Sequence, residues 1–66
     1  MSYKIVRMFF DDDISNRTIE RGLTLEEAQS HCQNPETSSS TCEGRAGIKR
    51  TEQFGKWFDA YTGEVN

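Results

Sequence analysis

The chain has 66 residues, 33% of them hydrophobic, and a formal net charge of -3 at pH 7. A domain this short buries only about 60% of the surface its unfolded chain exposes, so its core is marginal and a second subunit has burial to add. The charge argues against a general duplex-DNA binder, which carries a net basic face, and no apolar run approaches the roughly 20 residues needed to cross a bilayer.

The two cysteines are too few for a secreted disulfide scaffold. The start Met1-Ser2-Tyr3-Lys4 carries no signal-peptide pattern. A soluble chain in a reducing, intracellular setting is therefore the expectation, with no membrane as partner.

Tyr3 to Phe10 reads as a strand, with Val6, Met8 and Phe10 on one face and Tyr3, Ile5 and Phe9 on the other. Apolar residues on both faces put it at the centre of a sheet or at a subunit interface. Asp11-Asp12-Asp13 stops it, because aspartate is poor in strands and good in turns. Asn16 to Leu23, with β-branched Thr18 and Ile19, reads as a shorter second strand pairing with the first as an antiparallel hairpin. Thr24 is the expected N-cap of a helix, and Glu27 completes a T-x-x-E capping box. Leu25, Ala28 and Cys32 form that helix's apolar stripe. The helix is expected to end near Gln33-Asn34, with Asn34 in the left-handed C-terminal position and Pro35 unable to continue.

Pro35 to about Gly47 shows no periodicity and reads as a loop, long enough to be functional or disordered. Ile48 to Thr51 reads as a short strand or turn. Phe54 to Tyr61 is the expected last strand, with Phe54, Phe58 and Ala60 near one face and Trp57, Asp59 and Tyr61 on the other. Thr62-Gly63 ends it, and Glu64-Val65-Asn66 is expected to fray. The expected architecture is a single-domain α+β fold in β-β-α-β order, a small antiparallel sheet with one helix packed on one face. It carries no function by itself.

The residues with chemistry to offer follow the helix. Thr37, Ser38, Ser39, Ser40 and Thr41 are five consecutive hydroxyl residues. Hydroxyls donate and accept hydrogen bonds, and short side chains let backbone N–H groups approach a phosphate. Arg45, Lys49 and Arg50 supply cations to neutralise it, arginine bidentately. The run lacks the G-x-x-x-x-G-K-[ST] pattern of a P-loop, and on composition alone a solvated connector comes first. Exposed aromatics on a sheet stack nucleobases. In so short a chain Phe54 and Phe58 are assigned to the core, which leaves Trp57 and Tyr61 for a ligand or a partner subunit.

His31, Cys32 and Cys42 lack the paired short spacings of a zinc site. Cys32 belongs to the helix stripe, and adjacent helix residues such as His31 and Cys32 do not face each other as a catalytic dyad requires. Asp11 to Asp13 reads as a solvated turn without the D-x-D-x-D-G calcium pattern. Neither a metal nor a cofactor is expected, and no nucleophile–base pair points to an enzyme.

Gly22-Leu23-Thr24-Leu25-Glu26-Glu27-Ala28-Gln29, then His31-Cys32, then Pro35-Glu36-Thr37-Ser38-Ser39, resembles a family of very small proteins encoded by bacteriophages, especially phages of actinobacteria. The tail Phe54-Gly55-Lys56-Trp57-Phe58-Asp59-Ala60-Tyr61 resembles that family's ending. The resemblance covers most of the chain, with Pro-Glu-Thr-Ser-Ser its most specific part. It implies a phage protein acting in the host cytoplasm by binding. The chain is also similar to phage anti-CBASS sponges, non-catalytic proteins that sequester cyclic oligonucleotide signals of host immunity. No binding residue of the sponges maps onto a position here, so that reading leans on the hydroxyl, cation and aromatic groups. It implies an anionic nucleotide as ligand and a homodimer or higher homo-oligomer, since a two-fold ligand suits a two-fold site. The competing expectation is an inhibitor that binds a host protein through its acidic surface (Asp11 to Asp13, Glu26, Glu27) or its Trp57/Tyr61 face.

Overall fold

The computed structural model describes residues 2–64; of the expected fraying tail, Val65 and Asn66 lie outside the described residues. The elements run β1 (Ser2–Phe9), β2 (Arg17–Leu23), α1 (Leu25–Gln33), a 3-10 turn (Pro35–Thr37), α2 (Arg45–Phe54) and β3 (Trp57–Glu64). The strands form one antiparallel sheet in the order β2-β1-β3. The fold is thus α+β with a small antiparallel sheet, as expected, but it carries two helices rather than one.

The hairpin forms where alternation and the aspartate turn place it. Asp11 holds that turn itself, its carboxylate accepting from the Asp13 N–H at 2.9 Å and its carbonyl from the Ile14 N–H at 3.0 Å. The β1–β2 register slips between Tyr3 and Ile5 and again between Ile5 and Val6. Gly22, with φ of 71°, sits within the first slip, in a left-handed conformation open to glycine at little cost. The β1–β3 register is regular, running from Ser2 opposite Glu64 to Phe9 opposite Trp57. β3 therefore starts at Trp57, later than expected, and continues through Thr62 and Gly63 to Glu64.

The capping box is present. The Glu27 N–H donates to Thr24 Oγ1 at 3.1 Å, and the Thr24 N–H donates to Glu27 Oε1 at 3.0 Å. The bond from the Thr24 backbone, with help from its hydroxyl, holds the Glu27 carboxyl below its ordinary pKa. Glu64 is lowered too, chiefly by the Ser2 hydroxyl. A carboxyl depressed by folding contributes stability that is complete above the unfolded glutamate pKa of about 4.3 and is lost as pH falls through the lower folded value. The melting temperature is accordingly expected to hold from pH 8 to about 5.5 and to decline on acidification below the unfolded pKa. A scan in which melting rises between about pH 5 and 3 contradicts this.

Asn34 does not take the left-handed position. Its φ of -71° and ψ of 127° are extended, as the following proline demands. Its side chain caps the next turn instead, accepting from the Glu36 N–H at 3.0 Å. Nor is Pro35 to Gly47 a featureless loop. Thr37 is buried, its hydroxyl donating to the carbonyls of Asn34 and Cys32. The Ser39 N–H donates to the Trp57 carbonyl at 2.9 Å, and Ser38 pairs with Phe58 in an isolated antiparallel bridge, so the connector is stitched to the start of β3. The Glu36 carboxylate accepts from the N–H groups of Glu43 and Gly44, at 2.8 and 2.7 Å. It caps the start of α2 from outside that helix, a role Gly44 has no side chain to fill.

Ile48 to Thr51, expected as a strand or turn, lies inside α2. That helix ends at Gly55, whose φ of 81° suits a glycine stop and whose N–H donates to the Thr51 carbonyl at 2.9 Å. Both helices cover the sheet face that carries Ile5, Arg7, Phe9, Trp57, Asp59 and Tyr61. α2 contributes Gly47, where an added Cβ would sit 3.6 Å from the Trp57 ring, and Thr51, whose hydroxyl accepts the Trp57 indole N–H at 3.0 Å. Phe54 ends α2 rather than starting a strand and meets Phe9 edge-on, ring centroids 5.5 Å apart.

Among the described residues, Ile5, Ala28 and Trp57 are the fully buried hydrophobic ones. This reverses the expected roles on β3: Trp57 is core, and Phe58 lies on the opposite, uncovered face with 37% of its surface exposed.

Candidate functional site

The connector, β3 and the end of β1 enclose an open groove of about 470 Å³. Ser38, Ser39 and Ser40 line one side, and Phe10 and Phe58 line the other. Lys56, Thr51 and an edge of Trp57 complete it. The β1–β3 pairing builds the aromatic side. The Phe10 N–H donates to the Lys56 carbonyl at 3.1 Å, extending the ladder past β1 and bringing Phe10 beside Phe58. The rings meet edge-on with centroids 5.8 Å apart, and Phe10 is 63% exposed.

The serines reach the groove because the connector is stitched to β3. Ser39 Oγ accepts the Trp57 N–H at 3.1 Å and keeps its own hydrogen to donate. Ser38 and Ser40 place their hydroxyl oxygens 3.0 Å apart, sharing one hydrogen, and the Ser40 N–H leans on Ser38 Oγ at 3.3 Å. At least one hydroxyl hydrogen of that pair remains for a ligand. The Lys56 ammonium pairs with no carboxylate among the described residues. The groove thus offers hydroxyl donors and a free cation facing two partly exposed aromatic rings.

The sequence-predicted residues divide. Ser38, Ser39 and Ser40 are in the groove. Thr37 is not available, since its hydroxyl is spent on backbone carbonyls below the connector. Arg45 and Lys49 lie apart on the outer surface of α2, beside Glu43, Ile48 and Glu52. Arg50 stacks on the Trp57 ring, its guanidinium carbon 4.7 Å from the centroid, so it braces the core. Trp57 contributes an edge to the groove and otherwise belongs to the interior. Tyr61 sits on the helix-covered face, edge-on to Tyr3 at 6.2 Å and 3.5 Å from the Gln29 amide. Lys56, Phe10 and Phe58 are the residues sequence reasoning missed. The signal for them was the strand alternation itself, which put Phe10 and Phe58 on one face once β1 and β3 were taken as neighbours.

A second cluster lies under α1. The Asp59 carboxylate is fully buried and accepts from Arg7 Nε at 2.8 Å and Arg7 Nη2 at 3.1 Å, with His31 Nε2 3.1 Å away. A histidine held by a carboxylate invites a catalytic reading, but the neighbouring thiol does not fit one. Burial, then the negative charge of Asp59, pushes the Cys32 thiol up from its ordinary pKa. An activated nucleophile needs the opposite shift. Cys32 and Cys42 are free thiols. Among the described residues no group of three or more His, Cys, Asp or Glu is placed to hold a metal ion. Among them, too, no helix is long and apolar enough to cross a membrane.

The described residues thus form a small α+β domain with a serine- and phenylalanine-lined groove beside β3 and a buried ion cluster under α1. No protein-family model, no curated protein and no solved structure matches this chain.

Proposed function

We propose that this chain is a non-catalytic binding protein for an anionic nucleotide. Phosphate sits against Ser38, Ser39, Ser40 and Lys56, and a base lies against Phe58 and Phe10. The observation that carries the reading is that one groove gathers hydroxyl donors, an unpaired ammonium and two partly exposed rings. Phosphate and base are the two halves of a nucleotide, and the groove has a complement for each. The biological setting, a phage protein that sequesters a cyclic oligonucleotide signal of host defence in the host cytoplasm, rests on the resemblance of the Gly22–Gln29, Pro35–Ser39 and Phe54–Tyr61 segments. No bond is made or broken in this scheme; the free concentration of the signal falls.

Calorimetric titration with a panel of cyclic di- and trinucleotides tests it. At least one member is expected to bind, and more weakly as salt rises, since a phosphate–ammonium contact is screened. Phe58→Ala is expected to cost about ten-fold or more in affinity, since one stacked base is worth about 1–3 kcal/mol. Lys56→Ala is expected to weaken binding and flatten its salt dependence. Arg45→Ala with Lys49→Ala is expected to leave affinity unchanged. Absence of heat with every member at millimolar ligand, or loss confined to the Arg45/Lys49 variant, overturns the assignment.

The competing reading keeps one observation in its favour. Glu20, Glu26 and Glu27 gather around an open hollow between β2 and α1, an acidic surface suited to a basic protein partner. Stoichiometric capture of a host protein, lost on Glu20→Lys with Glu26→Lys and retained in Phe58→Ala, would favour it over the nucleotide.

A further inference from the structure

Both helices cover one face of the sheet, and the other is bare. That bare face carries Lys4, Val6 and Met8 from β1, opposite Thr62, Ala60 and Phe58 from β3. Phe10 continues the row through its contact with Phe58. Val6, Met8 and Ala60 are half-buried, and among the described residues no helix packs over them. An antiparallel sheet that faces water normally turns polar residues outward. This one turns an apolar row outward, while among the described residues three hydrophobic side chains are fully buried.

We infer that this face is a homodimer interface, two copies packing sheet against sheet about a two-fold axis perpendicular to their β1 strands. Size is the first argument for a second copy. The molecule is a slab of 35 × 25 × 13 Å. Its broad side is comparable with the roughly 800 Å² that each partner gives to a standard interface. Charge placement is the second argument. Lys4 stands on this face at one end of β1, and the Asp11-Asp12-Asp13 turn lies just past the other end. At about 3.3 Å per residue the two are roughly 25 Å apart. Lys4 pairs with no carboxylate among the described residues. A two-fold axis lying in the plane between the sheets and crossing β1 at Met8 reverses the strand direction of one copy against the other. Each Lys4 then arrives at the aspartate turn of its partner. Val6, Met8, Ala60 and Phe58 fill the centre, and the charges form the rim, the ordinary anatomy of a protein interface. An isologous contact needs one patch complementary to itself. At the Lys4 end the Glu64 carboxylate is already held by Ser2 and Arg21, and at the other end Lys56 offsets one of the three aspartates, which leaves a net positive end, a net negative end and an apolar middle.

The interface shares Phe58 with the groove, so a second copy and a bound base compete for that ring; Val6, Lys4, Asp12 and Asp13, the positions varied below, lie outside the groove and report on the dimer alone. Sedimentation of the full chain across about 10 to 500 µM tests it. Twice the monomer mass is expected at the upper concentrations. Val6→Glu is expected to give a monomer with unchanged far-UV circular dichroism. Lys4→Glu, a rim change that does not touch the fold, is expected to raise the dimer dissociation constant about ten-fold, since two exposed pairs are lost per dimer. Asp12→Lys with Asp13→Lys, added to Lys4→Glu, is expected to restore it. A chain that stays monomeric at the highest concentration overturns the inference. So does a dimer that survives Val6→Glu, or one that Lys4→Glu leaves unweakened. Should Val6→Glu fail to fold, the charge reversal and its rescue decide the matter alone.

Discussion

Trp57→Ala is expected to unfold this chain at room temperature, while Phe58→Ala, one residue along, is expected to leave it folded. The indole is fully buried between β3 and α2. Truncating a buried tryptophan costs about 3–5 kcal/mol, the lost transfer energy plus the cavity left behind. The cavity cannot close easily here. Of the α2 residues against the ring, Gly47 has no side chain to move inward, and Thr51 and Arg50 bring polar groups that do not replace an indole. The change also strips the Thr51 hydroxyl of its indole partner and removes the ring beneath the guanidinium groups of Arg7 and Arg50, 5.1 and 4.7 Å from its centroid. A domain of this length has about 3–10 kcal/mol of total stability at typical per-residue values, so one truncation removes most of it. Urea denaturation followed by circular dichroism makes the comparison. A Trp57→Ala chain with a cooperative transition near that of the parent, or a Phe58→Ala chain that loses more stability, contradicts the assignment of Trp57 to the core.

The reversal of Trp57 and Phe58 also marks where the sequence stops being legible. Alternation separated the two residues correctly onto opposite faces. It could not say which face the helices would cover, because both faces of β1 are apolar and β3 offers an aromatic to each. Deciding needed α2, and α2 is hard to see. Its sheet-facing positions are Gly47, Arg50 and Thr51, with a large apolar residue only at its last position, Phe54, and its N-terminus is capped by Glu36, eight residues before Gly44. α1 was legible for the opposite reason: Thr24 and Glu27 carry its start signal within the segment itself. The connector failed as a structure reading for the same non-local cause as α2. Its order comes from bonds to Trp57 and Phe58, far along the chain, which no local pattern records.

That distinction also explains how much of the candidate site came through. The serines were visible as a run, but of the aromatics expected beside them, Trp57 and Tyr61, the groove holds only an edge of Trp57, with Phe58 and Phe10 in place of Tyr61. Arg45, Lys49 and Arg50 follow the run closely in sequence, yet none of them lines the groove. In space α2 carries Arg45 and Lys49 to its outer surface and turns Arg50 onto Trp57, while β3 brings Lys56 alongside the serines. Proximity along the chain was taken for proximity in the fold, and a helix of ten residues intervened.

Asp59→Ala is expected to be the most damaging change of charge in the molecule, at about 3 kcal/mol, and a second substitution is expected to recover much of that loss. The Asp59 carboxylate is fully buried, and Arg7, which holds it with two bonds, keeps 17% of its side chain exposed. Removing one partner of a buried pair costs about 3–5 kcal/mol, because the other charge is left without compensation. The remaining exposure of Arg7 puts the expectation at the low end of that range, since water can reach part of the orphaned guanidinium. His31 loses its partner as well. Replacing both members by apolar residues avoids the orphaned charge, and such exchanges are often close to neutral. Arg7→Met with Asp59→Leu is therefore expected to be more stable than Asp59→Ala alone, although it gives up the Arg7 contact with Trp57. A double-mutant cycle measures the coupling, and residues this close are expected to depart from additivity by more than about 1 kcal/mol. Additive losses would mean that Arg7 and Asp59 stabilise the fold independently, and the buried ion pair would then have no energetic part in joining β1 to β3.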